Sequence, residues 1–92
     1  MRVTVRVFGD LAPVLGRRHV LDLEEGSSVG ALTSLLARRA GLKRHGHLGG
    51  YRVGGGDLAV LVNGRNIELL DGVETVLRDG DEVILLPPTA GG

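Results

Sequence analysis

Only one stretch of this 92-residue chain repeats its apolar residues at a helical period over several turns. After Val29, the residues Leu32, Leu35 and Leu36 follow at spacings of three and four, which lines them along one side of a helix. Ser27 or Ser28 precedes the run and can accept from the free N–H groups of the first turn. Arg38 and Arg39 fall in the last turn, where the helix dipole favours cations. Gly41 supplies a left-handed stop. The predicted helix covers about residues 28–40. One helix covers one face of a sheet, so any sheet built from the rest of the chain has a second face that this helix does not reach.

The sheet is written in period-two segments. In RVTVRVF (residues 2–8), Val3, Val5 and Val7 share one side and Arg2, Thr4 and Arg6 the other, the pattern of a half-buried strand. RHVLDLE (18–24) alternates again, with Leu21 and Leu23 together. The connection at 9–16, bounded by Gly9 and Gly16, makes the two strands a hairpin with a long loop. LAVLV (58–62) is a third strand. Asn63-Gly64 follows, a two-residue turn in which both positions accept positive φ, and the chain returns through Arg65, Asn66 and Ile67. Residues 68–78 read as irregular. Asp79-Gly80-Asp81 turns the chain into EVILL (82–86), and Pro87-Pro88 ends that strand. Residues 41–57 hold seven of the sixteen glycines and read as a mobile surface loop. The first and last strands are strongly apolar and lie centrally, side by side, with the helix in the crossover between them. The predicted class is α+β: a β-grasp (ubiquitin-like) arrangement, with a mixed four- to five-stranded sheet and one main helix on one face. The predicted organisation is a domain over 1–88 and a flexible tail over 89–92.

Composition removes several function classes. Lys plus Arg equals Asp plus Glu at 11 each, so no basic excess exists to neutralise phosphate backbones. Aromatics are 2%, too few for base-stacking platforms. The expectation is no nucleic-acid partner. With no cysteine, disulfides, cysteine-ligated metal and thiol catalysis are excluded. No apolar run is long enough for a membrane span, and the alternating N-terminus does not read as a signal peptide. The expected location is cytoplasmic. Charge is uneven: residues 1–46 carry +4 and residues 47–92 carry −4, an acidic C-terminal half able to steer a basic partner.

The last 31 residues, VNGRNIELLDGVETVLRDGDEVILLPPTAGG, join a hairpin, a DGD turn, an apolar strand, Pro-Pro and Gly-Gly. This string closely resembles the C-terminal half of the ubiquitin-like sulfur carriers of the MoaD/ThiS family. FGDLAPVLG and the helix beginning SSVGALTSLL fit the same family. The nearest type is the small subunit of molybdopterin synthase, in its archaeal branch, related to the small archaeal modifier proteins. Only the glycine-rich loop 41–57 matches poorly.

The resemblance implies a carrier rather than an enzyme. The carboxylate of Gly92 would be adenylated by an E1-like (MoeB/ThiF-like) enzyme and converted to a thiocarboxylate. That group would donate sulfur in molybdopterin (molybdenum cofactor) synthesis, in the active site of a MoaE-like large subunit. No cofactor is bound by the chain itself; ATP is consumed by the adenylating partner. The tail residues suit a narrow channel. Gly91 and Gly92 lack a Cβ, Thr89 and Ala90 add small residues of reach, and Pro87 and Pro88 favour extended geometry. Two alternatives stay open. One is the same activation with another acceptor, in tRNA thiolation or in ligation to lysines of target proteins. The other is a plain β-grasp interaction module with an inert tail.

The apolar excess marks a docking surface. The last strand is apolar on both sides, Val83 and Leu85 on one and Ile84 and Leu86 on the other. The face without a helix is then available to a partner; Phe8, Leu61, Ile67 and Leu86 are the expected contacts. Other signals have plainer readings. His45-x-His47 lacks a third ligand and reads as a solvated loop, so no metal is expected. Gly54-Gly55-Gly56 is followed by no Gly-Lys-Ser/Thr and is not a phosphate loop. Lys43, the single lysine, reads as solvated. Asp79, Asp81 and Glu82 fit the outer edge of a hairpin turn better than an acid/base pair.

Overall fold

The computed structural model describes residues 1–88; the tail expected at 89–92 lies outside the described residues. Strand β1 (Arg2–Val7) is followed by a 3₁₀ turn (Gly9–Leu11) and a single α turn, α1 (Ala12–Leu15). Strand β2 (Arg18–Asp22) then returns antiparallel to β1, pairing Val3 with Leu21 and Val5 with His19. Gly16, at φ 96, makes the reversal between α1 and β2.

The helix is α2 (Val29–Arg39), with Ser28 as its N-cap and Ala40 as its C-cap. Ser28 Oγ accepts from the Ala31 N–H at 3.1 Å, as the sequence predicts for one of the two serines. The other end is a Schellman closure. Gly41, at φ 74, donates its N–H to Arg38 O at 3.1 Å, and Leu42 donates to Ala37 O at 2.9 Å.

Strand β5 (Ala59–Val62) turns through Asn63-Gly64 into β6 (Arg65–Asn66), and β7 (Glu82–Leu86) closes the sheet. The strand order is β2-β1-β7-β5-β6. The first and last strands, β1 and β7, pair in parallel at the centre, with Val5 opposite Val83 and Val7 opposite Leu85. This is the arrangement the apolar end strands and the intervening helix predict.

Val3, Val5, Val7, Leu21, Val60, Val62, Val83 and Leu85 point from the sheet into one cluster with Val29, Leu32 and Leu36 of α2. The cluster is aliphatic. Each full burial of such a side chain contributes about 1.5–3 kcal/mol against the chain entropy lost.

The glycine-rich segment departs from the expectation of a mobile surface loop. It contains a two-stranded hairpin, β3 (His47–Leu48) with β4 (Tyr51–Arg52). Leu48 is 0% exposed within the main core. The Tyr51 phenol donates to the Asp10 carboxylate, its oxygen 2.7 and 2.9 Å from the two carboxylate oxygens. Gly49, at φ 58, sits so near Leu11 that an added Cβ would lie 3.1 Å from that side chain. One leucine and one tyrosine therefore tie a segment of seven glycines to the body. The segment 68–78 is likewise built, not irregular. It carries two 3₁₀ turns, one begun at Ile67 (Ile67–Leu69) and one at Gly72–Glu74. Its later residues dock on the start of α2, where Thr75 O accepts from the Val29 N–H at 2.9 Å and Leu77 donates to Ser27 O at 2.8 Å.

Candidate functional site

The site is built around the C-terminal end of β7, because that strand carries the chain toward Gly92. Its inner residues Val83 and Leu85 are fully buried; its outer residues Ile84 and Leu86 are partly exposed on the face away from α2. Register assembles that outer face. Leu61 of β5 lies opposite Ile84, and Ala59 lies opposite Leu86. The Val7–Leu85 pair places Phe8 beside Leu86, and the Phe8 N–H donates to Leu85 O at 3.1 Å. Phe8 is 37% exposed. Phe8, Leu61 and Leu86 thus come together on one face, and Ile84 belongs with them; its signal in the sequence is the same period-two parity that selects Leu86.

Ile67 does not join them. It is 2% exposed and part of the core. The hairpin register pairs Leu61 with Asn66, so Ile67, one residue further on, falls on the core side with Val60 and Val62. Asn66 Oδ1 accepts from the Glu68 N–H at 2.9 Å and starts a 3₁₀ turn whose first residue is the buried Ile67. The neighbouring Leu69, 82% exposed, takes the outward position. The signal for Ile67 is the two-residue Asn63-Gly64 turn, across which Ile67 falls on the side of Val60 and Val62.

The apolar patch has a basic flank. Arg6 of β1 lies opposite Arg18 of β2 and Ile84 of β7. Its guanidinium carbon is 5.3 Å from the Phe8 ring centroid, within cation–π range. Strand β7 is followed by two prolines with different surroundings. The strand ends at Leu86, as the Pro-Pro pair predicts; Pro87 is still buried against the body, and Pro88 is exposed. Thr89, Ala90, Gly91 and Gly92 lie outside the described residues.

The acidic turn before β7 is a structural lock. Asp79 Oδ1 accepts from the Arg2 N–H at 2.7 Å, and Gly80 donates to Arg2 O at 2.8 Å. Asp81 accepts from Asn63 Nδ2 at 2.8 Å and from the Arg78 N–H at 2.8 Å. Asn63, at φ 49, also accepts from the Glu82 N–H at 2.9 Å. Both hairpin turns and the start of β1 are thereby fastened together beneath the strand that carries the terminus. The carboxylates accept backbone and amide donors and so set geometry. Among the described residues no group of three or more His, Asp or Glu is placed to hold a metal ion, and no helix is long and apolar enough to cross a membrane.

Comparison with known proteins agrees with this geometry. The ThiS family model matches residues 5–92. A candidate sulfur carrier protein of Archaeoglobus fulgidus is 39% identical over 80 residues, covering 77% of this chain and 84% of that protein. Small archaeal modifier protein 3 of Haloferax volcanii is 35% identical over 98 aligned positions that span the whole of both chains. In the solved complex of subunits 1 and 2 of the molybdopterin-converting factor from Helicobacter pylori, one chain superposes with a TM-score of 0.61 at 29% identity, with all of both chains covered. A β-grasp sheet with its exposed apolar face beside the outgoing strand, and a match that runs to the last glycine, make this chain a member of the ThiS family, of the sulfur carrier and ubiquitin-like modifier type.

Proposed function

We propose that residues 1–88 form a docking body and residues 89–92 a reactive tail, and that the chain carries sulfur for molybdopterin synthesis. An E1-like enzyme binds the face of Phe8, Leu61, Ile84 and Leu86 and receives the tail in its ATP site. The Gly92 carboxylate attacks the α-phosphorus of ATP and pyrophosphate leaves. A sulfur nucleophile then displaces AMP, giving a thiocarboxylate. The chain contributes a terminus and a docking surface, and the partner contributes the catalytic side chains. A large synthase subunit then takes up the charged carrier through the same face. The observation that carries this reading is the register that sets Phe8 and Leu86 side by side where β7 runs out to Pro88. The Helicobacter pylori complex of two converting-factor subunits supports the choice of acceptor. The Haloferax volcanii modifier supports a second reading, in which the same adenylate is passed to lysines of target proteins.

The test is ATP–pyrophosphate exchange by the cognate adenylating enzyme, with the wild type compared with a Gly92 deletion and a one-residue extension. Deletion withdraws the carboxylate by ~3.3–3.6 Å in an extended chain, and a misplacement of ~1 Å at a reacting centre costs about a hundredfold. Both variants are expected to lose exchange while keeping the wild-type melting temperature. Equal exchange by all three would overturn the reading. Mass spectrometry of the wild type after addition of a sulfur source then separates the two fates: sulfur in place of oxygen at Gly92, or an isopeptide bond to a lysine.

A further inference from the structure

From residue 26 to residue 56 the chain contains no Asp or Glu, yet it carries Arg38, Arg39, Lys43, Arg44 and Arg52 with the imidazoles of His45 and His47. The Schellman closure at Gly41 folds this run back on itself. Residues 42–47 come to lie alongside the last two turns of α2, and between them is a cavity of about 210 Å³, open to solvent. Ser34, Arg38, Lys43, Arg44, His45 and His47 line it, and no carboxylate does.

The helix dipole accounts for a cation at Arg38. It does not account for Lys43 and Arg44, which lie beyond the helix end. The last-turn carbonyls of Leu36, Ala37 and Arg38 already accept from the backbone N–H groups of Ala40, Leu42 and Gly41. Among the described residues, Arg38, Lys43 and Arg44 take part in no salt bridge, although the chain has 11 acidic residues to offer. The Ser34 hydroxyl has no partner among the described residues either. The His47 ring is held by a 3.1 Å hydrogen bond between Nδ1 and His45 O, in which Nδ1–H donates.

We propose that this concavity is a binding site for a small phosphorylated anion. Clefts lined by one sign of charge focus the field and concentrate counter-ions. The two guanidinium forks present paired donors that match phosphoryl oxygens, and Lys43 adds a point charge. A monocarboxylate would offset one of three cations, whereas a phosphate or diphosphate offsets two or three. The volume is that of about seven waters at ~30 Å³ each. It admits one or two phosphoryl groups and leaves any organic remainder to project through the open side. The shared chemistry is the phosphoryl group, from a free phosphate anion or from the end of a phosphoester.

Amide chemical-shift titration of the full chain tests it, at ~0.15 M ionic strength to suppress diffuse attraction. The probes are inorganic phosphate, diphosphate and a nucleoside diphosphate. Saturable shifts confined to residues 34–47 are expected with diphosphate, tighter than with phosphate. Arg44→Gln and Lys43→Gln, both exposed positions that leave the fold intact, are each expected to weaken binding by about tenfold. Arg18→Gln is the control, because Arg6, Arg17 and Arg18 form a second basic group beside Phe8 and are expected to be indifferent. Equal affinity for diphosphate and the nucleoside diphosphate assigns recognition to the phosphoryl group alone; tighter binding of the latter assigns a phosphoester. Shifts that grow linearly without saturation, that appear equally around Arg6 and Arg18, or that survive both loop substitutions would overturn the proposal.

Discussion

The two faces of β7 carry side chains of the same kind and meet opposite fates. Val83 and Leu85 have 0% exposure under α2. Ile84 and Leu86 keep access to solvent one residue away, on the side that faces Leu61 and Phe8. Apolar character does not separate the four. What separates them is α2, which closes one face; among the described residues no helix covers the other. A strand this apolar on its open side bears a standing cost in water, and that cost is recovered when a partner covers it.

Substitutions can break or sharpen this contrast, and the largest effect is expected at Ile67. The sequence reading groups it with Leu86 as a docking contact, whereas the structure places it in the core. Ile67→Asp buries an unpaired carboxylate and is expected to cost at least about 3–5 kcal/mol, enough to abolish the cooperative thermal transition. Leu86→Asp meets solvent in the free chain. A melting curve for Leu86→Asp as badly displaced as that for Ile67→Asp would show that the outer face is not open.

Leu48→Ala comes next. It removes a core side chain contributed by a glycine-rich hairpin, with an expected cost of about 2–5 kcal/mol, as for Leu85→Ala. Denaturant midpoints for the two variants would check this. A near-neutral Leu48→Ala would mean that the hairpin does not share the main core.

A smaller effect is expected at the turn that fastens β5 to β7. Asn63→Ala loses the bonds to Asp81 and Glu82 and puts an alanine at positive φ, costing about 1–3 kcal/mol. Asn63→Gly keeps the backbone geometry and loses only the bonds, so it should fall between alanine and the wild type. Equal losses would assign the whole effect to the hydrogen bonds.

The smallest effect on stability, about 1 kcal/mol or less, is expected for Phe8→Asp and Leu86→Asp. The same two changes should sharply weaken association with the adenylating enzyme, because the new charge is desolvated without a partner in the complex. Binding titrations beside thermal melts check both halves. A stable variant that binds as well as the wild type would remove this face from the docking surface.

What was legible in the sequence was local. The helix announced itself by its leucine spacing, its serine cap and Gly41. The Asn63-Gly64 turn was legible because both positions need positive φ, and they adopt φ 49 and 83. β1 and β7 were legible because strand parity repeats every two residues. Leu48 was not, because a single leucine among glycines has no period to betray it. Ile67 was misplaced because apolar character alone grouped it with the docking face, whereas the Asn63-Gly64 register, which pairs Leu61 with Asn66, puts it on the core side. The basic concavity was hidden for a third reason. Its cations are spread over residues 38–44, and only the reversal at Gly41 brings the two arms of the run together.

The sequence by itself determined the main helix and the longer strands, their caps and turns, and the small-residue tail after Pro-Pro. Each of these depends on dihedral preferences and periodicity within a few residues. The tertiary structure decided which leucines are core and which are surface. It also decided that the glycine-rich segment is pinned at Leu48 and Tyr51, and that Phe8 stands beside Leu86. Burial and adjacency are relations between segments far apart in the chain. Phe8 and Leu86 are 78 positions apart, and only the β1–β7 register makes them neighbours.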